Sequence, residues 1–327
     1  MKKSVKIAIL IASLLCVVGV AVCATGLFKI NFDFSQLNTQ EPQTKTYEIT
    51  EEFRRISIQT EDADVIFVFS DVDECRVVCQ ETKKQSHSVS VKEGLLENTL
   101  VIQEEDSRKW YDHIGFSFEK ISVTVYLPYN KYVSLSIETD TGDVEIPDFF
   151  TFTSVNMETD TGDVSFGNCV VGAGMNIETD TGDISLKGAT IFGDLKIKTD
   201  TGKVSCVVGC AKSMDVKSNT GDVKIEHFDG EGSIVVNSDT GDVTFYRTTA
   251  GESITVKTDT GDVEFDHSDA ASIFVETDTG DVTGTLLSEK IFFTESDAGD
   301  IRVPQSMSGG RCEIRTDTGD IEIEIVE

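Results

Sequence analysis

The chain is poor in several things that other architectures need. Only four prolines and one tryptophan occur in 327 residues. So few prolines leave almost every backbone N–H free to donate, which excludes a polyproline or proline-rich linker protein. Histidine is equally scarce, and His87, His113, His227 and His267 have no partner at zinc-ligand spacing. A histidine-built zinc centre is thereby excluded, and the four read as surface residues. Basic residues are outnumbered, 28 Lys and Arg against 58 Asp and Glu, for a net charge of −30. A polyanion would be repelled, which argues against nucleic acid and anionic lipid as ligands, and cations or basic surfaces fit better. Beyond residue 28 no stretch carries 3.6-residue periodicity, which rules out helical repeats.

The eight cysteines lack the regular spacing of a disulfide scaffold. Cys16 and Cys23 lie in an apolar run. Cys75 and Cys79 flank Arg76-Val77-Val78, and along a strand they are about 13 Å apart, too far to bridge. Cys206 and Cys210 flank a corner where a bridge is feasible, whereas Cys169 and Cys312 have no evident partner. Buried free thiols are the expected state.

What the chain has is repetition. Thr139-Asp140-Thr141-Gly142-Asp143-Val144 recurs with small variations to Gly319, through glycines 162, 182, 202, 221, 241, 261, 280 and 299, at steps of 19 or 20 residues. Seven and five residues before each Gly stand apolar side chains, from Leu135 and Ile137 to Cys312 and Ile314, with Phe292 and Thr294 in the Gly299 unit. Two residues after it every unit has Val or Ile. Four after, most are large, as in Ile146, Phe166, Phe245 and Phe265. Period-two alternation on both sides of a Gly is a strand, a tight corner and a second strand.

A unit of this length cannot bury its apolar face alone, so units must stack. The sequence predicts an all-β, two-sheet parallel β-solenoid, its coils rising about 4.8 Å each and ten of them making a rod on the order of 48 Å. Taken in order, the last coil should be the exposed end, guarded by the charges of Glu322 and Glu324 against edge-to-edge aggregation.

The N-terminal organisation follows. Lys2, Lys3 and Lys6 precede an uncharged apolar run over residues 7–28. As a helix that run spans about 33 Å, enough for a bilayer. Lysines before it and only Lys29 just after predict a single-pass anchor with the N-terminus cytoplasmic and the rest outside. A cleaved signal peptide is the rival reading. The expected organisation is a cytoplasmic stub and transmembrane anchor over 1–28, a polar tether over 29–46, degenerate solenoid coils over 47–135 and ten regular repeats over 136–327. In the degenerate part, Arg55 to Val65 repeats the motif with Ala63 in the Gly position, and about three further coils fit before Gly142.

The segment Val123-Thr124-Val125-Tyr126-Leu127-Pro128, then Leu135-Ser136-Ile137 and the Thr-Asp-Thr-Gly-Asp-Val series, resembles a bacterial family of unknown function labelled "putative adhesin". The resemblance covers roughly residues 47–327, and a membrane segment before such a domain is similar too. It implies a cell-envelope solenoid with no established enzyme activity and no catalytic residues to carry over.

Chemistry concentrates at the corner. Asp stands two residues before the Gly in every coil except at Asn219, and directly after it in every coil except at Lys203. Stacking sets like charges about 4.8 Å apart, a repulsion of about 1 kcal/mol per neighbour in water. Two compensations compete. Each Asp accepts backbone N–H groups of its own turn, with the Gly at positive φ; or Ca²⁺ sits between coils, with Asp140, Asp143, Asp160, Asp163, Asp180, Asp183, Asp259, Asp262, Asp278 and Asp281 as candidate ligands. The EF-hand spacing and the nine-residue calcium repeat are both absent, so no cofactor is the leading expectation. His227 and His267 each lie six residues after a Gly, two coils and about 10 Å apart, too far to share a metal.

Parallel β-helices also host carbohydrate-cleaving enzymes, but those need one groove of converging carboxylates. Here acidic pairs recur uniformly, and no Ser-His-Asp or Cys-His arrangement can be placed. The expected role is non-enzymatic: a membrane-anchored surface interaction or structural module facing a protein or glycan ligand. The alternative is an envelope-stress or signalling accessory docking on a membrane partner.

Overall fold

The structure is a computed structural model and describes residues 15–21, 24, 25, 28, 43–72, 74–82, 84–107 and 121–326. The expected anchor falls largely outside these. Residues 15–21 are helical, and among the described residues no helix is long and apolar enough to cross a membrane.

From residue 43 onward the described chain is strand and corner, wound into a parallel β-solenoid. The expected columns are in register. Ile137, Met157, Ile177, Ile197, Val216, Val236, Val256, Val275 and Ile314 stack as one ladder, each at most 2% exposed. After the corner, Val144, Val164, Ile184, Val204, Val223, Val243, Val263, Val282 and Ile321 form a second. β-Branched side chains suit such ladders because their restricted χ1 matches a pleated surface, and each burial is worth about 1.5–3 kcal/mol.

The coil has three sides, not two. Lys131-Tyr132, Thr151-Phe152, Val170-Val171, Thr190-Ile191, Cys210-Ala211, Asp229-Gly230, Thr249-Ala250 and Asp269-Ala270 form a third ladder two residues wide. Its inward column shrinks from Tyr132 and Phe152 to Ala250 and Ala270. The second side compensates, since Phe245 and Phe265 stack there with ring centroids 5.1 Å apart, so close packing is kept by trading volume between sides. The third side bends away through a residue in the left-handed region, His227, Arg247 or His267, with φ near +50°.

Both ends depart from chain order. At the N-terminal end Arg55–Thr60 and Ala63–Ser70 form the second coil, lodged between Thr99–Asp106 with Ile121–Pro128 on one face and the Gly142 coil on the other. Residues 47–135 therefore supply two parallel coils. The remaining strands are antiparallel: Gln43–Ile49 pairs with Cys75–Glu81, which pairs with Ile121–Pro128, and Gln85–Lys92 pairs with Thr99–Asp106. They cap the rod.

At the C-terminal end the Gly319 coil inserts between the Gly280 and Gly299 coils. The outermost coil is thus that of Gly299, and Glu322 is covered on both sides rather than guarding an end. The reason lies in the core column. Thr294 replaces the apolar residue of the other coils, and an inward hydroxyl needs water or a hydrogen-bond partner; Phe292 and Thr294 are half-buried, while Cys312 and Ile314 next to them are fully buried. Ten repeats and two earlier coils make a rod of about 58 Å at 4.8 Å per coil.

Candidate functional site

The corner explains its own glycine. A Cβ on Gly261 would lie 2.1 Å from the Gly241 carbonyl oxygen, and φ there is +151°. Gly202 and Gly319 meet the same obstacle, at 1.9 and 2.0 Å. Beneath several corners a hydroxyl donates to the neighbouring glycine carbonyl, as Thr179 Oγ1 to Gly162 O (3.3 Å) and Thr316 Oγ1 to Gly280 O (3.1 Å), whereas the buried hydroxyls of Thr159, Ser238 and Thr258 have no partner among the described residues.

The two aspartate columns differ. After the Gly, each carboxylate up to Asp320 accepts the backbone N–H of the equivalent residue in the next coil rather than of its own turn, which corrects the expected geometry. The N–H of Asp163 donates to Asp143 Oδ1 (3.0 Å), that of Asp183 to Asp163 (2.8 Å), that of Asp262 to Asp242 (2.9 Å) and that of Asp281 to Asp262 (2.8 Å). The ladder continues out of chain order, from Asp320 N–H to Asp281 and from Asp300 N–H to Asp320, both 2.7 Å. These bonds hold coil to coil at a place where the sharp turn leaves an amide without a backbone acceptor, and a charged acceptor strengthens each. Lys203 keeps the amide bond to Asp183 (2.7 Å) and its ammonium reaches Asp222 (3.3 Å).

Before the Gly the column is open. Asp160, Asp180, Asp259 and Asp278 are exposed and, among the described residues, accept no hydrogen bond. Asn219 relieves one step by donating to Asp200 (3.1 Å). Asp140 has its carboxyl pushed up, first by partial burial and then by Asp160, Asp62, Glu138 and Glu104. Of the calcium candidates, Asp143, Asp163, Asp183, Asp262 and Asp281 lie in the bonded column, and Asp140, Asp160, Asp180, Asp259 and Asp278 in the open one. Among the described residues no group of three or more acidic, His or Cys side chains is brought to metal-holding geometry.

A second polar cluster was not foreseen. His87, expected at the surface, is 3% exposed at the N-terminal cap, with Nδ1 3.5 Å from Glu81 and Nε2 4.0 Å from Glu104. Neither ring nitrogen is hydrogen-bonded. Burial lowers its pKa, against the pull of Glu104 and Glu81. Lys45 pairs with Glu81, Gln85 Nε2 reaches Glu104 Oε1 (2.5 Å) and Asp62 (3.2 Å), and Tyr47 donates to the His87 carbonyl (2.8 Å). The signal was legible: Gln85, His87, Val89 and Val91 share one face of a strand, and that face is inward. His227 and His267 do lie in the expected column with Arg247 between, His227 packed edge-on against Tyr246 at 5.1 Å.

Near the same end, a cleft of 440 Å³ is lined by Phe53, Arg54, Cys75, Glu97, Tyr129 and Tyr132 among others. Cys75, Cys79, Cys169, Cys206 and Cys312 are buried free thiols with pKa pushed up to about 12 by burial, and Cys210 is half-buried and free.

Several solved structures are similar to this chain. A Parabacteroides distasonis protein described as a "putative adhesin" is 11% identical, with 87% of this chain and 98% of that one covered at a TM-score of 0.51. A Bacteroides fragilis protein described likewise is 16% identical over 87% and 97%, with a TM-score of 0.42. A P. distasonis protein described as a "putative lipid binding protein" is 14% identical over 75% and 97%, at 0.40. Among curated proteins none matches. Over residues 53–254 and 233–327 the sequence matches the Toastrack DUF4097 family, so that nearly the whole rod, corner columns included, is accounted for and the chain belongs to that family.

Proposed function

We propose that this protein is a non-enzymatic interaction module of the bacterial cell surface, anchored by residues 7–28 with its solenoid outside. The observation that carries the reading is the open aspartate column: an unbonded carboxylate in nearly every repeat, along one edge of a rigid rod. Such an edge presents a repeating anionic strip to a basic protein surface or, through bridging cations, to a glycan. Uniform repetition suits adhesion to an extended surface better than turnover at one point. The fold shared with the P. distasonis "putative adhesin" agrees with this, as does the apolar run preceding the tether.

The test is on intact cells. Protease added outside should cleave the solenoid, and cells carrying the chain should bind a basic or glycan-coated surface more than cells lacking it, with the difference falling as salt rises. A chain protected from outside protease would end the reading. Protease-sensitive cells with no surface binding, but with the chain captured on a membrane protein of the same cell, would favour the signalling accessory.

A further inference from the structure

The two ends of the rod are finished differently. At the N-terminal end antiparallel strands cover the coils, and residues 1–42 join there at Gln43. At the other end Lys290–Ala298 pairs with Gly310–Thr318 on one side and, among the described residues, with nothing on the other. It is a nine-residue open edge. Its outward Ile291 and Phe293 are 36% and 48% exposed, the adjoining Ile301 42%, and Met307 is fully exposed. The companion edge, Ile301–Arg302, is two residues long and soon followed by Pro304. A long edge carrying apolar side chains and no proline is a template for another strand.

We propose that this edge pairs with the same strand of a second copy, antiparallel about Thr294, joining two rods tip to tip. Antiparallel partners directly opposite share a face, so only whole-residue centres keep Phe292 and Thr294 inward. A centre at Thr294 sets Phe293 opposite Glu295, Ile291 opposite Asp297 and Lys290 opposite Ala298, with no like charges facing. A centre at Glu295 sets Glu295 against itself; one at Phe293 sets Asp297 against Glu289. Charge complementarity selects the same register. The Arg311 guanidinium lies 4.4 Å from the Phe293 ring centroid while bonded to Glu313 (2.6 Å), so the Glu295 that arrives opposite Phe293 comes beside the Arg311–Glu313 pair, and the two-fold axis repeats the contact. The Thr294 pair at the axis meets side chain to side chain.

The proposal rests on the surface-module reading for its setting, in which tips borne by facing membranes meet, but its test does not. Full-length chain in mild detergent is measured by light scattering and small-angle scattering up to about 0.1 mM, the range of weak association. A dimer about twice the rod's length is expected. Phe293→Glu, which sets Glu against Glu295, should weaken it at least about tenfold. Phe274→Glu, in the same outward row of an interior coil, should leave it unchanged. Thr294→Cys should yield a covalent dimer under mild oxidation, which keeps the test open were Phe293→Glu to misfold. A monomer throughout, equal effects of the two Phe substitutions, or a dimer that Thr294→Cys does not cross-link would each overturn the proposal. A tip-dependent dimer of a chain found inside the cell would remove only the setting.

Discussion

The two aspartates of one corner should respond to substitution in opposite directions. Asp259 stands in the open column between Asp239 and Asp278, at about one coil rise from each. At 4.8 Å in water each neighbour contributes about 0.9 kcal/mol of repulsion. With a Debye length of about 8 Å roughly half survives screening, leaving about 1 kcal/mol from the pair. Asp259→Asn should therefore stabilise the protein by up to about 1 kcal/mol, roughly 2 °C in Tm for a domain this large, and the gain should fade as salt rises. Asp262, three residues on, accepts the Asp281 N–H at 2.8 Å and donates its own N–H to Asp242 at 2.9 Å. Asp262→Ala removes the acceptor and should cost about 1–2 kcal/mol, which the loss of repulsion along its own column offsets only in part. Asp262→Asn keeps an acceptor while losing charge assistance and repulsion together, so it should fall near zero. Urea or thermal unfolding followed by circular dichroism reads all three. Were Asp259→Asn as damaging as Asp262→Ala, the open column would carry a stabilising ligand of its own. A Ca²⁺-specific rise in Tm, reversed by EDTA and reduced in Asp259→Asn, would identify that as a cation.

Three further outcomes are expected. Gly261→Ala, with its Cβ 2.1 Å from a carbonyl oxygen at positive φ, should cost at least about 3 kcal/mol, while Gly172→Ala, whose nearest neighbour would be 3.6 Å away, should change stability by less than about 0.5 kcal/mol; equal unfolding midpoints would refute the steric account. His87 is held below its ordinary pKa, so the folded state keeps it neutral while the unfolded chain protonates near 6.5. Stability is then complete above that pH and is lost as pH falls below it, by up to about 1.4 kcal/mol per unit; His87→Gln should flatten the slope between pH 7 and 5, and a wild-type stability constant over that range would contradict the burial argument. Alkylation at pH 8 should spare Cys75, Cys79, Cys169, Cys206 and Cys312 until the fold opens; fast native labelling of any of the five, counted by mass spectrometry, would show the core to be looser than its packing implies.

Columns were legible because each corner carries its own register mark, a glycine with no room for a Cβ and a β-branched residue two positions on. The third side was not, because a ladder two residues wide is too short to show a period. Nor was coil order. Every corner bears the same motif, so Asp320 bonds to Asp281 as readily as any sequential pair would. Thr294 was the available clue, a hydroxyl in an otherwise apolar column. The distinction between the two aspartate columns was invisible for another reason: which amide lacks a partner depends on how one coil sits over the next.

The displaced coils bear on how the molecule is made. Residues 310–325 belong between two coils that are both synthesised before them, so during translation or export the segment 290–302 has no rightful neighbour when it emerges. It can lie down on the Gly280 coil, where its Phe292 and corner glycine fit the place reserved for Cys312 and Gly319. Any such early pairing has to part before residues 310–325 can take their place between the two coils, which adds a rearrangement to the end of folding.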